Sequence, residues 1–305
     1  MITNPLMLCE AVDALLGLPR AAQPAAAADL AARIDLGVAE EDWNSRFGAD
    51  SLFATWTGSE LLKRLYAGNA STLRAHLRPG WRVVEVGGGD GRLWDQLGDL
   101  PEGGELVLID PAPSTHDEVA RRLPEGVSMT RVVGLAQDVI DRIPECDAVV
   151  CSLTLHHVAG RSAAERELHG LTGPGKQEVL VALRDAIRPR GGRLILNEAD
   201  VHCEVDLAPG DPVLADRLFD SYVRRTAKAL SAEMRGQRGD ARRLGAIIQR
   251  WCLAQVALAD APLGERDVYE LDISRWLELL AQAGLEVVES GFSDSELLFH
   301  RYVCR

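Results

Sequence analysis

Five short runs rich in β-branched and aliphatic residues limit the folds open to this chain. The runs are Trp81–Val86, Leu106–Ile109, Val127–Val133, Ala148–Cys151 and Arg193–Leu196. Helix-length segments, such as Ser114–Leu123 and Gln177–Ile187, separate most of them. Continuous apolar runs are typical of strands buried on both faces. Alternation of such strands with helices predicts an α/β fold, with a mostly parallel sheet and helices on both faces.

The segments around these runs divide the chain into three predicted regions. Residues 1–78 are expected to form an N-terminal helical cap, and residues 79–200 with 268–305 a Rossmann-like core. Residues 201–267 hold no strand-like run and are expected to be a helical insertion after the fifth strand. Two short closing runs, Leu285–Glu289 and Glu296–Val303, are joined by residues 291–294. They predict a final hairpin and bring the sheet to seven strands.

Composition excludes several classes of protein. Hydrophobic residues make up 47% and charged residues 26%, so the chain can bury a sizeable core. The net charge of −13 argues against nucleic acid or an anionic membrane as partner, since both require a basic surface. The six cysteines form no C-x-x-C pair, so we expect reduced thiols and no structural zinc. No signal peptide or long apolar run is evident, and we expect a cytoplasmic protein.

A glycine-rich turn follows the first predicted strand. The segment Glu85-Val86-Gly87-Gly88-Gly89-Asp90-Gly91 leads from strand to helix, where glycines let backbone N–H groups approach a ligand closely. Its spacing is G-x-G-x-G, and Arg92 stands where the dinucleotide fingerprint requires a third glycine. Asp110 ends the second strand, placed to accept hydrogen bonds from a ribose. The pattern therefore predicts a nucleoside ligand without a pyrophosphate.

These motifs resemble the first two motifs of the class I S-adenosylmethionine-dependent methyltransferases. The fourth-strand segment 146–158, which ends in His156-His157-Val158, and the turn and strand at 188–196 are similar to the same family. The resemblance covers about residues 75–200 and 270–305. It implies S-adenosylmethionine as cofactor, with S-adenosylhomocysteine or methylthioadenosine as product.

The resemblance also implies which residues contact the cofactor. Glu85 and the loop glycines are expected to cradle the methionine part of the cofactor, and Asp110 is expected to hold its ribose. The segment around Leu135 and Ala136 is expected to contact the adenine. The backbone at Ser152 and Leu153 is expected to contact the amino group of the methionine part. The glycines concerned are Gly87, Gly88, Gly89 and Gly91.

Catalysis on a sulfonium methyl rests mainly on positioning, and a base is needed only where the acceptor must lose a proton. His156 and His157, just past the fourth strand, are the candidate bases. Further candidates for substrate contacts follow the fifth strand or lie in the insertion. Asn197, Glu198 and Tyr222 are the predicted substrate contacts. His202, with Glu198 and Asn197, is a secondary candidate for the base, and Trp251, with Tyr222, is expected to line the cavity. No metal is expected, since Cys151 and Ser152 stand where magnesium-dependent relatives place acids.

The insertion begins at the carboxyl end of the fifth strand, the side on which open α/β sheets bind ligands. It is expected to form a lid over a small-molecule substrate, in an enzyme of specialised metabolism. Two alternatives stay open: a cyclase that closes the aminobutyrate part of S-adenosylmethionine, as azetidine-2-carboxylate synthases do, and a non-catalytic cofactor-binding protein. A homodimer is also left open.

Overall fold

The computed structural model describes most of the chain. The described residues are 1–41, 47–48, 50–169, 174–199, 223–258, 261–266, 268–294 and 298–305. Predictions for His202, Tyr222 and the first half of the helix expected at Val213–Met234 lie outside these ranges.

Seven strands form one mixed sheet, as the sequence predicts. The strands are β1 (Arg82–Val86), β2 (Glu105–Asp110), β3 (Ser128–Val133), β4 (Ala148–Ser152), β5 (Arg193–Ala199), β6 (Val287–Phe292) and β7 (Phe299–Cys304). Their order is β3-β2-β1-β4-β5-β7-β6. The first five strands are parallel, and β7 is antiparallel to both β5 and β6. The predicted fold class is therefore confirmed.

Helices cover both faces of this sheet and its carboxyl edge. They are α1 (Pro5–Leu16), α2 (Gln23–Ala32), α3 (Leu52–Thr57), α4 (Glu60–His76), α5 (Pro113–Arg122), α6 (Ala163–His169), α7 (Pro174–Ile187), α8 (Arg225–Arg235), α9 (Ala241–Ile247), α10 (Leu253–Ala257) and α11 (Ile273–Gln282). Residues 248–252 continue α9 into α10 as a π-helix.

Two sequence predictions about the strands are wrong. β3 lies at the edge of the sheet and is largely exposed, whereas the apolar run had predicted burial on both faces. The closing hairpin is displaced along the chain: β6 runs through Gly291 and Phe292, which had been assigned to the turn. An irregularity in the pairing between Val287 and Glu289 accompanies this shift.

The hydrophobic core has two clusters, one on each face of the sheet. One contains side chains of α4, of the N-terminal helices and of the insertion, packed on strand residues such as Val83 and Leu106. The other packs α7 and α11 against the opposite face. No helix within the described ranges is both long enough and apolar enough to span a bilayer. The five described cysteines are buried free thiols.

Candidate functional site

The glycine loop leaves β1 at the carboxyl edge of the sheet. Gly87, Gly89 and Gly91 have φ values of +75°, +54° and +75°, which side chains rarely adopt. A Cβ on Gly87 would lie 2.1 Å from the Thr154 hydroxyl oxygen, and one on Gly89 would lie 2.6 Å from the Phe53 ring. The backbone therefore runs closely beneath these two side chains, and only glycine fits.

Gly88 and Gly91 face the other way. A Cβ on Gly88 would lie 2.7 Å from Leu108, and one on Gly91 would lie 3.0 Å from the Val119 Cα. These two glycines thus let α5 and β2 pack closely against the loop.

Glu85 is buried below the glycine loop and accepts a hydrogen bond of 2.8 Å from the indole N–H of Trp94. Burial raises the pKa of Glu85 to about 8, although the bond from Trp94 opposes the rise. Trp94 in turn stacks on Trp81, with ring centroids 6.1 Å apart. The sequence motif gave no indication of this partner.

We expect the Glu85→Gln variant to change how stability depends on pH. The ordinary pKa is 4.5, so wild-type folding favours protonated Glu85, and that stabilisation is full below pH 4.5 and lost as pH rises through about 8. Glutamine stays neutral throughout. The free energy of unfolding of wild type should therefore fall relative to that of the variant across this interval, measured by urea unfolding at fixed salt. A difference that is constant with pH would contradict it, and Glu102→Gln is the control.

Asp110 ends β2 next to the loop. Its carboxylate is buried and accepts a 2.8 Å hydrogen bond from the Ala112 N–H. Burial raises the pKa of Asp110 to about 6, while the bond from Ala112 and N–H groups of the glycine loop favour the ionised form. Leu135 is exposed and Ala136 buried where the chain leaves β3, beside Asp110. Glu85, the glycines, Asp110 and residues 135–136 thus lie along one edge of the sheet.

Asp90, inside the loop, ties it to the N-terminal helices. Its fully buried carboxylate accepts a 2.8 Å bond from the Thr57 hydroxyl and pairs with Arg92 at 3.0 Å. The Arg92 guanidinium also donates to the carbonyl of Ala54 in α3. The sequence does not indicate a role for Asp90, because its partner Thr57 lies far away along the chain.

Ser152 and Leu153 lie at the end of β4. Leu153 has a φ of +53°, and its N–H donates to the Asn197 carbonyl at 2.7 Å. The Ser152 hydroxyl accepts a 2.9 Å bond from the Asn69 side chain. Asn197 is fully buried and donates to Ser293 at 3.0 Å, so its side chain lies inside a polar network joining β5 to the hairpin.

His156 and His157 come together with Glu198. His156 Nδ1 lies 2.8 Å from the Glu198 carboxylate, and the Nε2 atoms of the two histidines are 3.1 Å apart. Glu198 also accepts from the backbone N–H groups of Thr154 and Leu155, at 3.0 and 2.6 Å. Since a carboxylate only accepts, His156 Nδ1 carries a proton. The side chain of His157 is exposed.

The electrostatics of His156 follow from its surroundings. Burial lowers its pKa, but the neighbouring carboxylates of Glu198 and Glu270 outweigh burial and raise the pKa above the ordinary value. Lys176 is fully buried nearby, and its ammonium donates to the Val158 carbonyl at 2.7 Å. Burial lowers the pKa of Lys176 to about 8. Glu198 and Lys176 therefore hold the two ends of the 154–158 segment.

Residues 84–194 match the model of a family described as a methyltransferase domain. That segment runs from β1 into β5 and contains the glycine loop, Asp110 and the histidine pair. The chain has a class I S-adenosylmethionine-dependent methyltransferase domain. S-adenosylmethionine is its cofactor, and the residues present fit it: the left-handed backbone of the glycine loop and the Asp110 carboxylate lie side by side at the carboxyl ends of β1 and β2.

Solved structures of other methyltransferases are similar at low identity. Mitomycin 7-O-methyltransferase MmcR is 16% identical, over 96% of this chain and 75% of that one, with a TM-score of 0.44. A methyltransferase from Leishmania major is 13% identical, over 87% of each chain, with a TM-score of 0.45. An O-methyltransferase from Planctomyces limnophilus, solved with apigenin, is 12% identical over 80% and 62%, with a TM-score of 0.43. No curated protein matches this chain in sequence. Similarity this low says nothing of the substrate.

Proposed function

We propose that this methyltransferase transfers a methyl group to a small organic molecule of specialised metabolism. S-adenosylmethionine supplies a methyl carbon that is already electrophilic. The observation that carries the proposal is the closure of the glycine loop by α3: the Phe53 ring lies against Gly89, and Asp90 bonds to Thr57. A site enclosed in this way favours a small acceptor over a folded protein or a nucleic acid, and the charge of −13 disfavours nucleic acid further.

The insertion is proposed to act as the lid. Trp251, in the π-helix of the insertion, lies 6.5 Å from Phe53 and 6.1 Å from Trp56, measured between ring centroids. The indole therefore packs on Phe53, which lies against Gly89, and on Trp56 of the same helix. This contact supports a roof built jointly from the cap and the insertion.

Hydrogen exchange tests the lid. If cofactor binding holds the roof closed, amides of α8, the described part of the helix expected at Val213–Met234, should exchange more slowly with S-adenosylhomocysteine bound. Amides of β7, distant in sequence and already in a sheet, serve as the internal control. Protection confined to residues 83–157 would remove the insertion from the site.

His157 is proposed as the base for acceptors that must lose a proton. It is exposed, whereas His156 is held between Glu198 and His157. Glu198 fixes Nδ1–H on His156, so Nε2 of His156 can accept a proton that reaches it through His157. Glu198 then acts as a positioning residue and not as a direct contact of the substrate. The predicted contacts at Asn197 and Tyr222 stay predictions.

Mass spectrometry of the purified protein tests the reaction. Incubation with S-adenosylmethionine alone should leave it intact, and addition of small phenols, amines or carboxylates should yield S-adenosylhomocysteine together with one methylated acceptor. Heat-denatured protein is the control. Methylthioadenosine formed with a four-membered-ring amino acid and no acceptor would contradict methyl transfer and identify a cyclase. Binding of the cofactor with no product from any acceptor class would favour the non-catalytic alternative.

A further inference from the structure

An open groove runs along the outer side of α7, away from the glycine loop. It has a volume of about 640 Å³ and lies between α7 and residues 140–145, which lead into the amino end of β4. The Cys146 N–H donates to the Ala186 carbonyl at 2.9 Å and joins the two walls at one end. The cofactor site lies at the carboxyl ends of the strands, so the groove is a separate surface.

The floor of the groove is apolar. Ile140, Ile143 and Val181 are half-buried and pack on their inner sides against the core cluster beneath α7 and α11. Their outer sides, with Ala182, line the groove. Apolar side chains that remain partly exposed in one continuous groove are typical of interaction sites.

The rim of the groove is acidic. Asp141, Glu145, Glu178 and Asp185 are all exposed along it, and no lysine or arginine is among the described residues that line it. Asp185 pairs with Arg184 at 2.7 Å, whereas the other three carboxylates have no ion pair with any described residue. Three of the four rim carboxylates therefore present negative charge that no described residue offsets by an ion pair, around an apolar floor.

One polar atom in the wall of the groove is buried without a hydrogen-bond partner. The side-chain oxygen of Gln177, on the same wall, is buried and has no hydrogen-bond donor among the described residues. Leaving such an oxygen unpaired costs about 1–3 kcal/mol. A ligand in the groove could donate to this oxygen only after the Gln177 side chain turns outwards.

We infer that this groove binds a basic amphipathic helix of a partner protein. The groove-lining positions of α7 recur at helical spacing along one face, so the groove extends along the helix axis over about 13 Å, with Val181 and Ala182 near its middle. A helix laid alongside would place apolar side chains on Val181 and Ala182 and its lysines or arginines on the acidic rim. A second copy of this chain is disfavoured because each copy carries a charge of −13.

The experiment uses a fluorescein-labelled helical peptide of about 18 residues, built from leucine, alanine and lysine, and a counterpart with glutamate for lysine. Binding is followed by fluorescence anisotropy. Only the lysine peptide should bind, more weakly at higher salt. The double variant Glu145→Lys/Glu178→Lys should weaken binding at least about tenfold. Glu102→Lys/Glu125→Lys changes the net charge equally at exposed positions that do not line the groove, and should have a much smaller effect.

Hydrogen exchange in the presence of the lysine peptide then locates the site. Slower exchange in residues 177–186 and 140–145 supports the proposal. Equal weakening by the two double variants would show only general attraction to an acidic protein and would overturn it. Protection elsewhere would overturn it as well, and so would a self-association that the groove variant abolishes. None of these readouts depends on the methyl acceptor or on catalysis.

Discussion

Gly87→Ala should lose nearly all affinity for S-adenosylhomocysteine, by about 3 kcal/mol or about 100-fold. The new Cβ would lie 2.1 Å from the Thr154 hydroxyl oxygen and 2.9 Å from the Thr154 Cβ, so the loop and the 154–158 segment must separate. The expected cofactor cradle includes the glycine loop and the end of β4, both of which such a movement displaces. Calorimetric titration with S-adenosylhomocysteine measures the loss.

Gly80→Ala is the matched control. Gly80 has a φ of +74°, against +75° for Gly87, but a Cβ there would meet no atom within 4 Å. Both variants therefore carry the same conformational cost of about 1 kcal/mol, and only Gly87→Ala adds the clash. Equal affinity of the two folded variants would exclude Gly87 from the cofactor site.

Glu198→Gln should reverse the direction of the His156 pKa shift. Without the carboxylate, burial is the larger influence, and the pKa of His156 should fall below its ordinary value of 6.5. The pH dependence of stability follows. In wild type the pair stabilises the fold fully below pH 6.5, and this contribution is lost as pH rises through the raised pKa; in the variant that loss should be absent. Nuclear magnetic resonance titration of the His156 ring gives the pKa directly.

Glu178→Gln is the control for this titration, because Glu178 is exposed and faces the α7 groove. The pKa of His156 in the Glu178→Gln variant should equal the pKa of His156 in wild type. If Glu198→Gln leaves the His156 pKa above 6.5, Glu270 and not Glu198 sets the charge of the pair. Once a methyl acceptor is identified, a loss of kcat at unchanged KM in Glu198→Gln would distinguish a positioning role of Glu198 from substrate binding.

Much of the fold could be predicted because its signals are local. Most of the parallel strands contain a short apolar run, and the glycine loop follows β1 directly in the sequence. The hairpin could not be placed correctly: Gly291, Ser293 and Asp294 are typical turn residues, but Gly291 and Phe292 pair with Arg301 and His300 of β7 and so belong to β6. The exposure of β3 depends on its place at the edge of the sheet, which the run of apolar residues does not encode.

The candidate site was likewise only partly predictable from the sequence. Glu198 and His156 were separate candidates, yet their proximity follows from the neighbouring strands β4 and β5, where Ser152 pairs with Asn197. The roles of Trp94 and Asp90 were not predictable, because only the packing of the fold brings Trp94 to Glu85 and Asp90 to Thr57. Lys176 has the sequence pattern of an exposed helix position, but the packing of α7 buries it fully.

The cluster shared by the N-terminal helices and the insertion has a consequence for protein engineering. Cys9 of α1 lies 3.8 Å from the carbonyl of Ser231 in α8, and Gln249 donates to carbonyls of Ala31 and Ile34. Acceptor preference is often altered by grafting one variable segment from a relative. Here a grafted insertion would meet an unmatched surface on α1 and α2, so chimaeras must exchange both segments together to keep a packed interior.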